Sequence, residues 1–318
     1  MPLLEVHELT KCFPVQTGFW KKNSMKVRAV DRVSLDVNAG ETVGLVGESG
    51  CGKTTLGRAV LRLIEPDSGS IIFDGISLTD LSQAQLRKIR PRLQIVFQDP
   101  FSSLNPRMVV LDQVGEGLSE HGFVKSRREK EERVVQLLEQ VGLSADHLYR
   151  YPHEFSGGQR QRIAIARAIS LNPDLVVCDE AVSALDVSVQ AQIINLLREL
   201  QQRLNIAYLF ISHDLTVVKY ISQRIAVMYL GRIVEFGTTQ ELFDDPRHPY
   251  TEALLSAIPV LDPEARKKRI VLTGEVNPMG TGQGCPFAPR CPKALPQCHH
   301  EEPPLQWASD THWFRCFL

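Results

Sequence analysis

One short stretch limits the possible folds of this chain more than any other. Residues 47–55 read GESGCGKTT; the apolar run TVGLV precedes them, and KTTLGRAVLRLI continues from them in a helical pattern. The stretch matches the pattern G-x-x-x-x-G-K-[ST], in which glycines let backbone N–H groups wrap around phosphate oxygens. Because such a loop needs a strand before it and a helix after it, the sequence predicts an α/β fold that binds a nucleotide.

Each position of this phosphate loop has an expected role. Lys53 can reach the β- and γ-phosphate oxygens, and the Thr54 hydroxyl can hold Mg²⁺. Cys51 is open to two interpretations, an oxidisable thiol that would block the nucleotide or a passive small side chain. The other expected nucleotide contacts are Gly47, Glu48, Ser49, Gly50, Gly52 and Thr55. The loop alone indicates a nucleotide and does not separate kinases, GTPases and motors.

A pair of carboxylates follows a second apolar run. In LVVCDE, Asp179 and Glu180 end a predicted buried strand. Asp179 suits a role in holding Mg²⁺ together with Thr54, and Glu180 can act as the base that orients an attacking water. GTPases place Asp-x-x-Gly at this point, so the adjacent Asp-Glu pair favours ATP hydrolysis.

Buried-type strands alternate with helices along the rest of the chain. AYLFISHD reads as a strand, SVQAQIINLLRELQQRLN as the helix before it, and RIAVMYLGRIVEFG as a hairpin with Leu-Gly at its turn. This alternation predicts a mostly parallel sheet covered on both faces. Residues 99–169 instead predict a helical insertion, in which SRREKEERVVQLLEQVGL is an amphipathic helix with one apolar face: Val134, Leu137, Leu138 and Val141.

Composition restricts the partners of the chain. Its 36 Lys and Arg nearly balance its 37 Asp and Glu, which argues against nucleic acid as a main partner. No apolar run approaches the roughly 18–20 residues that span a bilayer. The start MPLLEVHELT has no basic region or apolar core, so no secretory signal is expected. Composition shifts to Pro, Gly and Cys past Pro259, which predicts a boundary near residue 262.

The stretch FSGGQRQRIAIARA, residues 155–168, suggests a second phosphate-facing site. Paired glycines at a helix start leave N–H groups pointing outward, backed by roughly half a positive charge from the helix dipole. The chain already holds a complete phosphate loop at 47–55. A second such helix start therefore needs its own explanation.

The order of the motifs explains it. Phosphate loop, VFQDP, SGGQ, DE, SALD and SHD follow one another as in the ATP-binding cassette (ABC) family, which this chain resembles over most of its length. The resemblance implies a RecA-like core with a mostly parallel sheet, an antiparallel β subdomain and a helical signature subdomain. The resulting domain prediction is a nucleotide-binding domain at 1–262 and a small Cys-containing extension at 263–318.

In that family the signature helix meets the γ-phosphate bound by a second cassette, in a head-to-tail dimer with two ATPs at the interface. The resemblance therefore implies that this chain supplies half of each ATP site. It assigns the signature role to four consecutive residues: Ser156, Gly157, Gly158 and Gln159.

Other roles carry over by position. Gln98 resembles the Q-loop glutamine, which senses Mg²⁺ and the attacking water while its loop contacts the membrane subunit. His213 resembles the switch histidine that contacts the γ-phosphate, and Asp186 the D-loop aspartate that links the two sites. Phe13 is the best match for the aromatic that stacks on adenine; Phe19 and Trp20 can equally pack elsewhere. Ala181 departs from the proline usual after the Asp-Glu pair, which is expected to loosen that turn.

The C-terminal sequence indicates which type of ABC ATPase the chain resembles. DDPRHPYTEALLSAIP and GCPFAPRCPKALPQC are similar to the C-terminal region of oligopeptide/dipeptide and nickel importer ATPases. The resemblance implies a peripheral ATPase on the cytoplasmic face of the inner membrane that powers peptide import. Its implied partners are a second cassette (a paralogue in most of the subfamily), two membrane permeases and, indirectly, an extracytoplasmic solute-binding protein. Two alternatives remain open, a nickel or other small-solute importer and an ABC ATPase without a membrane partner.

Four cysteines cluster in this tail. Cys285, Cys291, Cys298 and Cys316 are spaced C-x5-C-x6-C-x17-C, too wide for the paired spacing of a zinc ribbon. Some members of the resembling family bind a [4Fe–4S] cluster here, and four thiolates suit one. A cluster, zinc and free thiols all remain open. The expected cofactors are thus ATP and Mg²⁺, with an iron–sulfur cluster as a candidate.

Overall fold

A computed structural model describes residues 1–15, 25–258, 270–274 and 284–318. Phe19, Trp20 and the boundary expected near residue 262 lie outside these residues, so the domain division at 262 stays a prediction. The strands are β1 (Leu4–Val15), β2 (Met25–Val37), β3 (Thr42–Val46), β4 (Ser68–Phe73), β5 (Ile76–Ser77), β6 (Leu93–Val96), β7 (Leu175–Asp179), β8 (Ala207–Ile211), β9 (Arg224–Tyr229), β10 (Arg232–Thr238), β11 (Leu305–Trp307) and β12 (Trp313–Arg315).

The helices alternate with these strands through the middle of the chain. They are α1 (Lys53–Val60), α2 (Gln83–Ile89), α3 (Pro100–Ser103), α4 (Val110–Glu120), α5 (Arg127–Gln140), α6 (Gly157–Ile169), α7 (Val187–Leu204), α8 (Leu215–Ile221), α9 (Thr239–Asp244) and α10 (Pro249–Ser256). Among the described residues no helix combines the length and the apolar character needed to cross a membrane.

The chain forms two compact units. The first contains residues 1–3, 37–41 and 80–211, and the second contains 4–36, 42–79 and 212–318. The chain passes between them several times, so each unit is assembled from segments that are far apart in sequence.

The first unit joins three parallel strands to a group of helices. β6 pairs with β7, and β7 with β8, in parallel register, and β7 and β8 are buried at every position. This is the pattern of strands covered on both faces. Between β6 and β7 lies the helical insertion, where Val134, Leu137 and Leu138 form the buried stripe of α5. The predicted amphipathic helix and the helical insertion that contains it are confirmed.

The second unit contains two groups of strands. One is a sheet in the order β2-β1-β4-β5, in which β1 pairs antiparallel with β4 and β4 with β5. In the other group β3 pairs parallel with β9, and β10 follows β9 as an antiparallel hairpin. Leu230 and Gly231 at the hairpin turn have φ angles of 43° and 83°, the left-handed values that a tight two-residue turn requires. The hairpin with a Leu-Gly turn is confirmed.

The end of the chain extends the second group of strands. β12 pairs antiparallel with β10 through Glu235↔Phe314 and Phe236↔Trp313, and β11 pairs with β12. The fading periodicity of the tail gave no sign of these three-residue strands, which are too short to produce a repeat. Their partner β10, not their own pattern, determines their structure.

A buried carboxylate fixes this C-terminal region. Glu235 is fully buried in β10 and accepts hydrogen bonds from the backbone N–H groups of Arg247 (2.7 Å) and His248 (3.0 Å). Its Oε1 also lies 2.7 Å from Nε2 of the buried His312. A buried carboxylate is tolerated only when its oxygens are satisfied in this way. Glu235 therefore ties the segment before α10 and the segment before β12 to one strand.

Candidate functional site

The phosphate loop connects the buried strand β3 to the helix α1. All five residues of β3 are buried, and α1 begins at Lys53. Gly52 has a φ angle of +110°, and a Cβ at this position would lie 2.0 Å from the Ala29 carbonyl oxygen. Only glycine fits there. The strand, glycine loop and helix expected from the sequence are confirmed.

Lys53 points back along the loop. Its side chain is 4% exposed, and Nζ donates hydrogen bonds to the carbonyl oxygens of Gly47 (2.8 Å) and Glu48 (2.9 Å). A buried ammonium needs such acceptors to offset its desolvation. The same Nζ is thus held over the loop that is expected to hold phosphate.

The remaining loop residues differ in accessibility. Ser49 and Gly50 are exposed at the tip, and Thr54 and Thr55 are half-buried in the first turn of α1. Cys51 is buried, and its burial raises the pKa of the thiol above the ordinary value. Because the thiolate is the reactive form, the structure favours the passive interpretation of Cys51 over the oxidisable one.

Asp179 and Glu180 end β7 in the first unit. Asp179 is buried and lies opposite Ile211 of β8. Glu180 has a φ angle of +49°, in the left-handed region that residues other than glycine rarely adopt. Its backbone N–H donates to the Ile211 carbonyl at 3.0 Å. Backbone strain of this kind clusters at functional sites.

Gln98 and Glu180 meet across two neighbouring parallel strands. Gln98 lies two residues beyond β6, and its Nε2 donates a hydrogen bond of 2.8 Å to Glu180 Oε2. The carboxyl ends of parallel strands share one edge of a sheet, which explains how residues 82 positions apart come together. The structure therefore joins two of the three residues expected to be catalytic.

The turn after Glu180 closes without proline. The Ser183 backbone N–H and its Oγ both donate to the Glu180 carbonyl, at 3.1 and 3.0 Å, and Ala181 is buried beneath. Two hydrogen bonds to one carbonyl replace part of the rigidity that a proline ring supplies. The loosening expected from Ala181 is therefore opposed by Ser183.

The signature residues form the start of α6. Ser156 Oγ accepts from the Gln159 N–H at 3.3 Å, while Gln159 Oε1 accepts from the Ser156 N–H at 3.0 Å, which is a capping box. A Cβ on Gly158 would lie 2.5 Å from Cγ1 of Val189 in α7, whereas Gly157 is less confined. The glycine pair thus allows α7 to approach while the Ser156 side chain stays exposed.

Three further expected residues are accessible. Asp186 precedes α7 and is exposed, and its side chain does not cap that helix in the described part of the chain. His213 is exposed just before Asp214, whose carboxylate caps α8. Phe13 is partly exposed on β1, with Lys11 Nζ 5.7 Å from its ring centroid. Solvent therefore reaches all three side chains, and their expected roles stay predictions.

The four tail cysteines surround one cavity in the second unit. Cys285, Cys291, Cys298 and Cys316 all line it, together with Phe287. Burial raises the pKa of Cys285 to about 11 and also raises the pKa of Cys291 and Cys316. Within the residues that the structure describes, no three His, Cys, Asp or Glu side chains are grouped so as to hold a metal ion. The geometry therefore gives no support to a bound metal beyond the shared cavity.

Two residues that sequence reasoning missed contact the phosphate loop. Tyr250 Oη accepts the Glu48 backbone N–H at 2.9 Å, and Arg290 forms a two-pronged ion pair with the Glu48 carboxylate. Hydrogen bonding to Glu48 raises the pKa of Arg290. No local pattern marks either residue as part of the site; the only signal is that both lie in the tail segments that carry the family resemblance.

Comparison with protein families matches two parts of the chain. Residues 30–183 match the family described as ABC transporter. Residues 234–298 match the family described as oligopeptide/dipeptide transporter, C-terminal region. The first match contains the phosphate loop, the signature helix and the Asp-Glu pair, and the second contains Tyr250 and Arg290.

Curated relatives match over nearly their full length. The chain is 49% identical over 320 residues to the oligopeptide transport ATP-binding protein AppF of Bacillus subtilis, with 99% of this chain and 97% of that protein covered. It is 53% identical to the probable peptide ABC transporter ATP-binding protein y4tS of Sinorhizobium fredii, with 99% of this chain and 90% of that protein covered.

Solved cassettes share the fold. A dimeric ATP-binding cassette, MJ0796, in a post-hydrolysis state with ADP and phosphate, aligns with a TM-score of 0.66 and 28% identity, covering 74% of this chain and 98% of that one. The cbiO1 subunit of Clostridium perfringens also aligns with a TM-score of 0.66 and 28% identity, covering 77% of this chain and 91% of that one. With this fold, these motifs and relatives identical at half of their positions, the chain belongs to the ABC transporter family as an ATP-hydrolysing subunit of the oligopeptide/dipeptide type.

Proposed function

We propose that this chain powers the import of di- or oligopeptides through separate membrane permeases. The observation that carries the proposal is the full-length similarity to proteins named for peptide transport, which includes the C-terminal region as well as the cassette. The nickel alternative draws no support from the relatives compared, because their names refer to peptides. An ATPase without a membrane partner would not account for that shared C-terminal region.

Glu180 is proposed as the general base that orients the attacking water. The hydrogen bond from Gln98 supports this role, because it holds one oxygen of the Glu180 carboxylate in place at the end of β7. His213 is proposed to stabilise charge on the γ-phosphate. In keeping with this role, its side chain is exposed two residues after the end of β8.

Nucleotide binding is proposed to use the phosphate loop and the signature residues in different copies. Lys53 and the loop N–H groups bind the phosphates, and Phe13 stacks on the adenine. Thr54, Asp179 and Gln98 are the proposed Mg²⁺ ligands; the buried Asp179 carboxylate suits a hard cation, which neutralises phosphate charge when bound. Ser156, Gly157, Gly158 and Gln159 bind the γ-phosphate held by a partner cassette, and Asp186 links the two sites.

The proposed partners are a second cassette, two permeases and, through them, a solute-binding protein outside the membrane. This assembly places the chain on the cytoplasmic face of the inner membrane. Phe101, in the short helix α3 that follows Gln98, supports a protein contact there: its ring is 64% exposed, and the Arg160 guanidinium lies 3.7 Å from the ring centroid. A large exposed aromatic side chain is typical of interaction surfaces.

The four cysteines are proposed to hold a [4Fe–4S] cluster. The support is that all four thiols line one cavity. The cavity has a volume of about 10 Å³, room for about one water molecule, so the thiols must move apart to admit a cluster of several iron atoms. Each thiol must lose a proton when it binds iron, and the raised pKa values that burial gives Cys285, Cys291 and Cys316 oppose this loss.

Glu180→Gln is expected to retain ATP binding and to reduce ATP turnover about 10²–10⁴-fold, the usual cost of a lost general base. Phosphate release by the purified transporter complex and binding of a fluorescent ATP analogue measure the two effects. Glu199→Gln, an exposed glutamate on α7, is the matched control and should leave both unchanged. Unchanged turnover in Glu180→Gln would exclude the proposed base.

The same Glu180→Gln variant tests the substrate. Cells that carry it in place of the natural chain are expected to lose uptake of isotope-labelled di- and tripeptides while keeping uptake of a free amino acid. Retained peptide uptake together with lost nickel uptake would reject the peptide proposal in favour of the nickel alternative. The Glu199→Gln cells control for expression.

Phe101→Asp is expected to abolish co-purification of the tagged chain with two polytopic membrane proteins, because a charge would enter an apolar contact. Phe123→Asp is the control, since Phe123 is also an exposed aromatic, at 49%, but lies outside the segment from Gln98 to the end of α3. Mass spectrometry of detergent-solubilised membranes identifies the proteins retained. Equal recovery with both variants would argue against this contact.

The cysteine proposal is tested on chain purified without oxygen. Iron and acid-labile sulfide are expected in the natural chain and are expected to be lost in Cys291→Ser. Cys12→Ser, in β1, should retain both. Zinc in place of iron, or no metal at all, would refute the cluster.

A further inference from the structure

Glu48, the second residue of the phosphate loop, is held by residues that lie far away in the sequence. Its backbone N–H donates a hydrogen bond to Tyr250 Oη at 2.9 Å. Arg290 Nη1 donates to Glu48 Oε2 at 2.7 Å, and Nη2 donates to Oε1 at 3.0 Å. Such a two-pronged arginine–carboxylate pair fixes orientation as well as distance.

The pair is shielded from water. The Arg290 side chain is 9% exposed and that of Glu48 is 29% exposed, so solvent screens it less than a surface pair. Among the described residues, Arg290 Nε has no hydrogen-bond partner. Glu48 is therefore the main hydrogen-bond acceptor for the Arg290 guanidinium. Its Nη1 also makes a longer contact of 3.5 Å with Tyr229 Oη.

An aromatic cluster supports both contacts to Glu48. Tyr229, Tyr250 and Phe287 pack against one another, with ring centroids 4.7–5.3 Å apart. The Arg290 guanidinium lies 5.9 Å from the Tyr229 ring. Phe287 directly precedes the short helical turn Ala288–Arg290, so the cluster anchors the segment that presents the arginine.

The same loop residue also contacts the phosphate-binding lysine. Lys53 Nζ donates to the Glu48 carbonyl at 2.9 Å. Glu48 is thus fixed through its N–H, its side chain and its carbonyl. Because loop N–H groups bind phosphate only when they point inward together, restraining one loop residue limits the motion of the whole cradle.

We propose that Arg290 is a positioning residue for ATP: by gripping Glu48, the C-terminal extension holds the phosphate loop in its binding conformation. The nucleotide affinity of the cassette then depends on an arginine that lies 242 residues from Glu48 in the sequence and acts through the loop. This inference concerns ATP binding alone and does not depend on what is transported.

The test measures binding of a fluorescent Mg·ATP analogue to the full chain. Arg290→Gln and Glu48→Gln are each expected to weaken binding about tenfold or more, the usual cost of a hydrogen bond to a charged group. The double variant should be no weaker than the weaker-binding single variant, because both remove one interaction. Lys293→Gln and Glu252→Gln are the matched controls; these residues form an exposed ion pair in the same region and should bind as the natural chain does.

Thermal unfolding separates positioning from general support. An arginine that only stabilised the tail would lower the unfolding temperature and leave the affinity of the folded chain unchanged. Natural affinity in Arg290→Gln, or effects that add fully in the double variant, would overturn the proposal. Should Arg290→Gln fail to fold, Glu48→Gln and Arg290→Lys carry the test, since lysine keeps the charge but lacks the fork; natural affinity in both would also overturn it.

Discussion

The phosphate loop imposes the constraint on which the second unit depends: its backbone must be held in an uncommon conformation before a ligand arrives. Gly52 adopts a φ angle that residues with side chains avoid, and the Ala29 carbonyl oxygen leaves no room for a Cβ there. The Gly231 N–H, at the hairpin turn, donates to the Cys51 carbonyl at 2.8 Å. Strand, hairpin and helix therefore all restrain the loop, and a pre-organised loop loses less conformational freedom on binding.

Much of this arrangement could be predicted because its signals are local. The loop pattern between an apolar strand and a helix placed Lys53 and Thr54, and the apolar run LVVCD placed Asp179 and Glu180. The Leu-Gly turn of the hairpin could also be predicted from the sequence, since only a few backbone conformations join two adjacent strands so tightly. Each of these predictions depends on neighbours within about ten residues, where periodicity and turn residues carry the information.

Contacts across the sequence could not be predicted in the same way. The Gln98–Glu180 hydrogen bond requires that β6 and β7 be neighbours, which neither strand encodes alone. The pairing of β12 with β10 and the grip of Arg290 on Glu48 likewise depend on the folded second unit. The cysteine spacing was visible, but one shared cavity emerged only in three dimensions. The sequence revealed the parts of the site and not the supports that hold them.

Supporting hydrogen bonds matter most where a residue must adopt a left-handed backbone angle but cannot be glycine, because its side chain is needed for the chemistry. At Gly52 the chain adopts an unusual backbone angle without the cost of a side chain, but Glu180, the proposed general base, needs its carboxylate. A left-handed angle at such a residue costs about 1–3 kcal/mol. Glu180 keeps it because its N–H is bound to Ile211, its carbonyl to Ser183 and its carboxylate to Gln98. Because four hydrogen bonds with three residues hold Glu180, alanine suffices at position 181, where the family resemblance leads us to expect proline.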